Sequence, residues 1–221
     1  MRRFIAIADA TSVTLAATLA AALLLRLGEC CADLRLLPFA LGVVLGFFAA
    51  DVASGVVHWF CDTYFDPQTP ILGPMFISPF REHHVDPSAL ARHGVFERNG
   101  NNCLASIPLL LLAGSLLEPG AAARAPHHAI GGFALAASLT LCVTNQIHAW
   151  AHGAAAPRLV RTLQRAGILI APERHARHHR GERTYAVVSG WSNALLDRAL
   201  GRAEVLLASC GVRASGDEPD S

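Results

Sequence analysis

The sequence predicts an all-α polytopic membrane protein, with about four transmembrane helices, histidine-rich helices on the cytoplasmic side and amphipathic helices in the interface. Three observations lead there. Long uncharged apolar runs recur along the chain, and 52% of it is hydrophobic against 16% charged, with a mean hydropathy of +0.37, which is unusual for a soluble enzyme. Histidines recur three or four residues apart, the spacing that turns side chains to one helix face. The 221 residues read as one embedded domain over 1–208 and a small, acidic, disordered tail over 209–221. The formal charge of +1, with eighteen arginines in no basic tract, does not point to a nucleic-acid partner. Six cysteines without a CxxC read as free thiols or buried small side chains, not as a disulfide framework.

The first span is residues 4–27, uncharged from 10 to 25, with Arg26 able to snorkel. A cleaved signal peptide is the competing reading, and the second apolar run at 36–57 weighs against it. That run ends in ADVASGVVHWFCDT, where Asp51, Gly55, His58 and Asp62 fall on one stripe of a helix. Two carboxylates and an imidazole near a membrane are costly unless paired or bound to a cation, so the stripe marks function or a hydrogen-bonded seam between helices. Asp51, the deepest, is the more structural of the two acids. A polar loop rich in Pro and Gly follows, carrying FREHHVDP with Glu82, His83 and His84 adjacent, and then His93. Adjacent histidines do not share a helix face, so both can ligate only if the backbone turns or two metals lie on either side. His93 reads as a surface residue, a donor to a ligand, or a ligand.

The run 104–117 is short for a span, whereas 129–150 is a convincing one. All the candidate histidines can meet on one face only if 104–117 crosses. Four spans with both termini inside then place fifteen arginines on the histidine side and only Arg26, Arg35 and Arg124 on the other, the asymmetry of the positive-inside rule. His127 and His128 fall in the outer loop. NQIHAWAH brings Asn145, His148 and His152, and HARHH brings His175, His178 and His179. Residues 157–170 and 193–207 are amphipathic, lying in the interface or packed on the spans. His58, His83, His84, His148, His152, His175, His178 and His179 exceed what one ion takes, which suggests two metals. Imidazole suits iron, copper, nickel or zinc, so the residues alone leave the metal open. Nucleotide-binding glycine loops and HExxH are absent from the sequence.

A set of eight histidines with HxxxH and HxxHH spacings resembles the membrane desaturase and hydroxylase superfamily. HWFCDT, FREHHVDP, FERNGNNC, NQIHAWAH, HARHH and YAVVSGWSN, in that order between Asp51 and Asp197, resemble more closely the plasmanylethanolamine desaturase family. FREHHVDP followed by NGNNC is the most diagnostic part. A related plant branch that desaturates an acyl chain of phosphatidylglycerol shares the histidines and differs around FREHH. The family often has a histidine where this chain has Arg174. The resemblance implies two iron ions (Fe2+/Fe3+) held by the eight histidines, with Asp62 a ligand or orienting acid, and with His58 and Asp62 catalytic. Asp51, Glu82, His93 and Asn145 would stand behind the ligands. It implies O2 as co-substrate and conversion of the 1-O-alkyl chain of an ether phospholipid to a vinyl ether. That bond lies near the headgroup, the depth of histidines at helix ends. The reaction consumes two electrons, and the chain has no flavin or haem motif, so an external donor is implied, a cytochrome b5 or a ferredoxin with its reductase. The alternatives are an acyl-lipid desaturase or hydroxylase with the same metals, and a membrane zinc hydrolase or non-catalytic metal-binding protein. The membrane would be a bacterial inner membrane or the endoplasmic reticulum.

Overall fold

The computed structural model describes residues 2–29, 34–117, 125–212 and 214. The described residues are helical, without strands, in the order α1 (Arg2–Glu29), α2 (Leu36–Thr63), a π-helical turn (Gly73–Ile77), α3 (Ser78–Val85), α4 (Ala89–Arg92), α5 (Val95–Leu116), α6 (Ala125–Ala151), α7 (Arg158–Arg165), α8 (Pro172–His178) and α9 (Asn193–Ser209). Three helices are long and apolar enough to cross a membrane, namely Arg3–Glu29, Leu36–Thr63 and Ala125–Ala151. The all-α polytopic reading therefore stands. α5, expected to cross over 104–117, is one 22-residue helix, about 33 Å long at 1.5 Å per residue. That length suffices for the ~30 Å hydrocarbon layer, but its polar first turns with Glu97, Arg98 and the NGNN run keep it out of the apolar set. Of the expected tail, Ser209 closes α9, while residue 213 and residues 215–221 lie outside the described residues, as do 30–33 and 118–124 with Arg124.

The chain divides into two compact units, residues 1–50 with 94–146, and residues 51–93 with 147–221. In the first unit α1 packs along α5. Its buried positions Asp9, Ser12, Ala16 and Leu23 follow helical spacing. The apolar core joins Ala16 and Leu23 to Cys103, Leu110, Ala113, Leu117, Ala134 and Leu135. α2 and α6 touch backbone to backbone at small residues, as membrane helices do. A Cβ at Gly42 would run into the carbonyl oxygen of Ala129, and one at Gly46 into that of Phe133.

In the second unit the end of α2 packs on the loop before α9 and on α9 itself. Trp59 and Tyr64 form a cluster with Ala186, Leu196 and Leu200. Gly55 has no Cβ because Leu196 occupies that space. The apolar residues of the expected α9 face divide, with Leu196 and Leu200 buried and Leu195 and Leu206 exposed. Val160 and Gln164 are the buried positions of α7, and Leu159 is exposed.

Candidate metal centre

Four helices of the second unit supply the histidines: the end of α2, α3, the end of α6, and α8. Pro172 starts α8, a position where its missing N–H costs nothing. The three-and-four spacing then turns His175, His178 and His179 to one side. The structure brings all eight predicted histidines together. His58, His83, His84 and His178 offer nitrogens that all lie within 4.8 Å of one another, and so do His83, His148, His152 and His175. His83 belongs to both quartets. Nε2 of His179 lies 3.3 Å from that of His152 and 3.2 Å from that of His175.

Asp62 lies beside the first quartet. Its Oδ2 lies 3.0 Å from Nε2 of His84, 3.2 Å from Nε2 of His58 and 3.3 Å from Nε2 of His178. Its Oδ1 is buried with no partner. Nδ1 of His58 sits 2.9 Å from the carbonyl oxygen of Tyr185. A carbonyl only accepts, so Nδ1 carries the proton and the Nε2 lone pair is left free.

The second quartet contains a frustrated triangle. Nε2 of His148 is 2.9 Å from that of His175 and 3.1 Å from that of His152, and His175 and His152 are 2.8 Å apart. Each nitrogen carries either one proton or one lone pair. Of three such nitrogens at least two play the same role, so one contact is repulsive however the protons are placed. A cation receiving three lone pairs removes the conflict. The three nitrogens, all within 3.1 Å of one another, could turn their lone pairs on a single ion. Nε2 of His83 is also buried without a hydrogen-bond partner. Burial lowers the pKa of His83 and of His175 well below the usual imidazole range, and that of His152 and of His179 to about 4. All four are therefore neutral at pH 7, the form that ligates. The residues present fit a pair of nitrogen-bound metal ions.

The residues expected behind the ligands are distributed differently. Asp51 faces no imidazole, which corrects that expectation. Its Oδ1 accepts from the backbone N–H of Ser189 (2.7 Å) and Gly190 (3.0 Å), and its Oδ2 from the N–H (3.0 Å) and hydroxyl (2.7 Å) of Ser192. It anchors the turn that starts α9. Nδ2 of Asn145 donates to the carbonyl of Arg98 at 2.8 Å. His93 lies outside both quartets, its Nε2 3.6 Å from a carboxylate oxygen of half-exposed Glu82. Arg174, where the resemblance has a histidine, donates to the carbonyl of Ser189 at 2.9 Å. His127 and His128 belong to the first unit, where Nδ1 of His128 accepts the N–H of Arg35. The carbonyl of Tyr185 escaped the sequence reading, because a backbone acceptor leaves no mark in residue types. Its ring stands edge-on to His178 at 4.9 Å between centroids.

Residues 47–210 match the family described as the lipid desaturase domain. The chain is 41% identical over 154 residues to a plasmanylethanolamine desaturase of Myxococcus xanthus, covering 68% of this chain and 53% of that protein. It is 37% identical over 161 residues to plasmanylethanolamine desaturase 1 of Mus musculus, covering 71% and 59%. It is 34% identical over 190 residues to the chloroplastic fatty acid desaturase 4 of Arabidopsis thaliana, covering 82% and 56%. The chain thus spans somewhat more than half the length of these relatives. No solved structure matches it. With the match running over both histidine quartets and Asp62, the chain belongs to the lipid desaturase domain family.

Proposed function

We propose that this protein is an O2-dependent membrane lipid desaturase that converts the 1-O-alkyl chain of an ether phospholipid, plasmanylethanolamine, to the vinyl ether of a plasmalogen. The observation that carries the reading is the pair of histidine quartets sharing His83, with the frustrated nitrogen triangle that a cation would relieve. His58, His84, His178 and Asp62 would hold one iron, His148, His152, His175 and His179 the other, with His83 between them. Bound iron would supply the oxidising power to remove two hydrogens from an unactivated carbon pair, with O2 taken to two waters by those two hydrogens, two added electrons and two protons.

The chain's own part is to keep the imidazoles neutral and to fix their lone pairs. The Tyr185 carbonyl sets the His58 tautomer, and burial of His83 and His175 keeps protons and bulk water away. Asp62 supplies negative charge beside three imidazoles, and its unpartnered Oδ1 is free to ligate. Arg174 supports the turn that Asp51 anchors, consistent with its replacing a histidine that does not ligate. On the four-span topology the site is cytoplasmic, at the depth of the first carbons beside the ether oxygen. Electrons would come from a cytochrome b5, or from a ferredoxin with its reductase.

The Arabidopsis relatives, named fatty acid desaturases, favour a second reading, an acyl-lipid desaturase with the same metals. The test is a lipid mass spectrum of cells supplied with alkyl-ether phospholipid and expressing the protein or its His178→Ala variant, before and after mild acid. A product two mass units lighter that acid destroys, present only with the intact protein, is expected. An acid-stable lighter product would transfer the assignment to the acyl-lipid reading. No lighter lipid, with a single zinc per chain, would replace both by a zinc hydrolase or metal-binding protein.

A further inference from the structure

α9 supplies no ligand, yet one of its carboxylates reaches the metal centre by two routes. Arg183 lies between α8 and α9, two residues before Tyr185, whose carbonyl accepts the Nδ1–H of His58. Carboxylates of α9 meet its guanidinium at all three nitrogens. Nη1 and Nη2 donate to Oε2 and Oε1 of Glu204 at 2.8 and 2.9 Å, and Nε lies 3.1 Å from Oδ1 of Asp197. Asp197 and Glu204 are seven residues apart, two turns along one helix face. The same Oε1 of Glu204 accepts the Nε1–H of Trp59 at 2.6 Å. Trp59 is 6% exposed and follows His58 on α2. Glu204 therefore grips both the neighbour of a candidate ligand and the segment that carries that ligand's acceptor.

What else holds the segment shows why these grips matter. Beyond Tyr185 the backbone is fixed by other elements. The N–H of Ala186 donates to Oδ1 of Asn193 at 2.9 Å, that of Val187 to Oγ of Ser54 at 3.2 Å, and the carbonyl of Val188 accepts from the N–H of Ile170 at 2.7 Å. Before Tyr185 the N–H of Thr184 bonds within its own turn, to the carbonyl of Glu182 at 2.8 Å, and that turn leans on the carbonyl of Arg177 at the end of α8. The Arg183 side chain joins this near side to α9. The side chains of Arg183 and Glu204 are 37% and 29% exposed, and ion pairs this open to water contribute little to stability. A two-pronged guanidinium–carboxylate bond adds geometric definition instead, and an indole N–H, which can only donate, takes an acceptor when its ring is buried. The network is built to fix direction more than to hold the fold.

We propose that Glu204 is a positioning residue of the metal centre. Through Arg183 it keeps the Tyr185 carbonyl on Nδ1 of His58, and through Trp59 it fixes the turn of α2 that carries His58, so that the Nε2 lone pair points into the first quartet. The proposal rests on the reading of the histidines as a metal centre and is independent of which lipid the protein acts on.

The test titrates the metal-free, detergent-solubilised protein with Co2+, whose visible absorption reports the number and arrangement of its ligands. His84→Ala strips the first quartet alone and so identifies the ion of that quartet. Glu204→Ala should weaken binding of this ion ~10–100-fold, the cost of losing a group behind a ligand, and shift its band, with the ion of the second quartet unchanged. Glu204→Gln, whose amide oxygen still accepts from Trp59, should recover most of the affinity. Arg183→Ala should weaken the same ion severalfold, should add nothing when combined with Glu204→Ala, and carries the test if Glu204→Ala does not fold. Leu200→Ala opens a cavity in the cluster beneath α9 and should lower the unfolding temperature while the first ion keeps its affinity and band. Wild-type affinity in Glu204→Ala, or a loss in Leu200→Ala as large as that in Glu204→Ala, overturns the proposal and leaves the network a brace for α9. Because Co2+ binding is read without turnover, the expected response in a protein that makes no lighter lipid would overturn the desaturase reading alone. A lighter lipid with an unaltered centre in Glu204→Ala would overturn the positioning role alone.

Discussion

His83 occupies the position on which both quartets depend, because its ring lies between them and its Nε2 has no other partner. Its neighbour His84 belongs to one quartet only and meets Asp62. Adjacency in FREHHVDP had allowed two arrangements, a local turn or metals on either side. α3 remains helical through both residues, yet their nitrogens meet in the first quartet, and His83 alone of the two also belongs to the second. Loss of a group behind a ligand costs 10–100-fold in metal affinity, and loss of a shared ligand should cost at least as much. On the proposed di-iron reading, His83→Ala should lower bound iron to half the wild-type content or less and reduce turnover by at least ~10²-fold. Metal analysis of the purified variant checks this, and two irons at full occupancy would remove His83 from the ligand set.

At the scale of elements, the stripe of α2 that reads as one motif divides into two jobs. Asp51 and Gly55 hold the loop at 186–192 and α9, whereas His58 and Asp62, a turn or two further on, face the metal centre. The sequence had placed all four on one helix face, and periodicity alone did not say which partner each would meet. Removing Asp51 leaves three backbone N–H groups and a hydroxyl without acceptors. Each buried unsatisfied group costs ~1–3 kcal/mol. Asp51→Ala should therefore destabilise by more than about 3 kcal/mol, with metal lost as a consequence because α8 is tied to the same turn through Arg174. Thermal unfolding in detergent, followed with metal content, measures it. A variant as stable as wild type would show that water or the lipid replaces the carboxylate.

For the whole molecule, the histidine centre ties stability to pH and metal. His152 and His179 have folded pKa values of about 4, below the ~6.5 of an unfolded histidine. Below pH 6.5 the unfolded chain takes up protons that the folded one refuses, so the stability of the metal-free protein falls as pH drops from about 6.5 towards about 4. Above 6.5 the two states bind protons alike at these residues, and no slope from them is expected. Midpoint temperatures across pH 4–8, with and without metal, should show this slope in the apo protein. Calorimetry at pH 7 in buffers of different ionisation enthalpy should show few protons released on metal binding, since the ligands are already neutral. A metal-free protein whose stability is flat from pH 7 to 4 would contradict the burial of these imidazoles.

Membrane-length helices and the histidine pairs were legible because both depend on local periodicity. Apolar runs declare a span by length, and residues four apart declare a shared face wherever the helix goes. Which nitrogens meet depended on contacts between residues far apart in the chain, such as His58 with Tyr185, 127 apart, and His178 with His84, 94 apart. No spacing encodes these. The same applies to the acids. Asp51 and Asp62 both read as carboxylates on one stripe of α2, and only long-range packing separates one that anchors a turn from one that faces imidazoles. An amide donor and an imidazole come to a carboxylate from other parts of the chain, and their arrival is a property of packing.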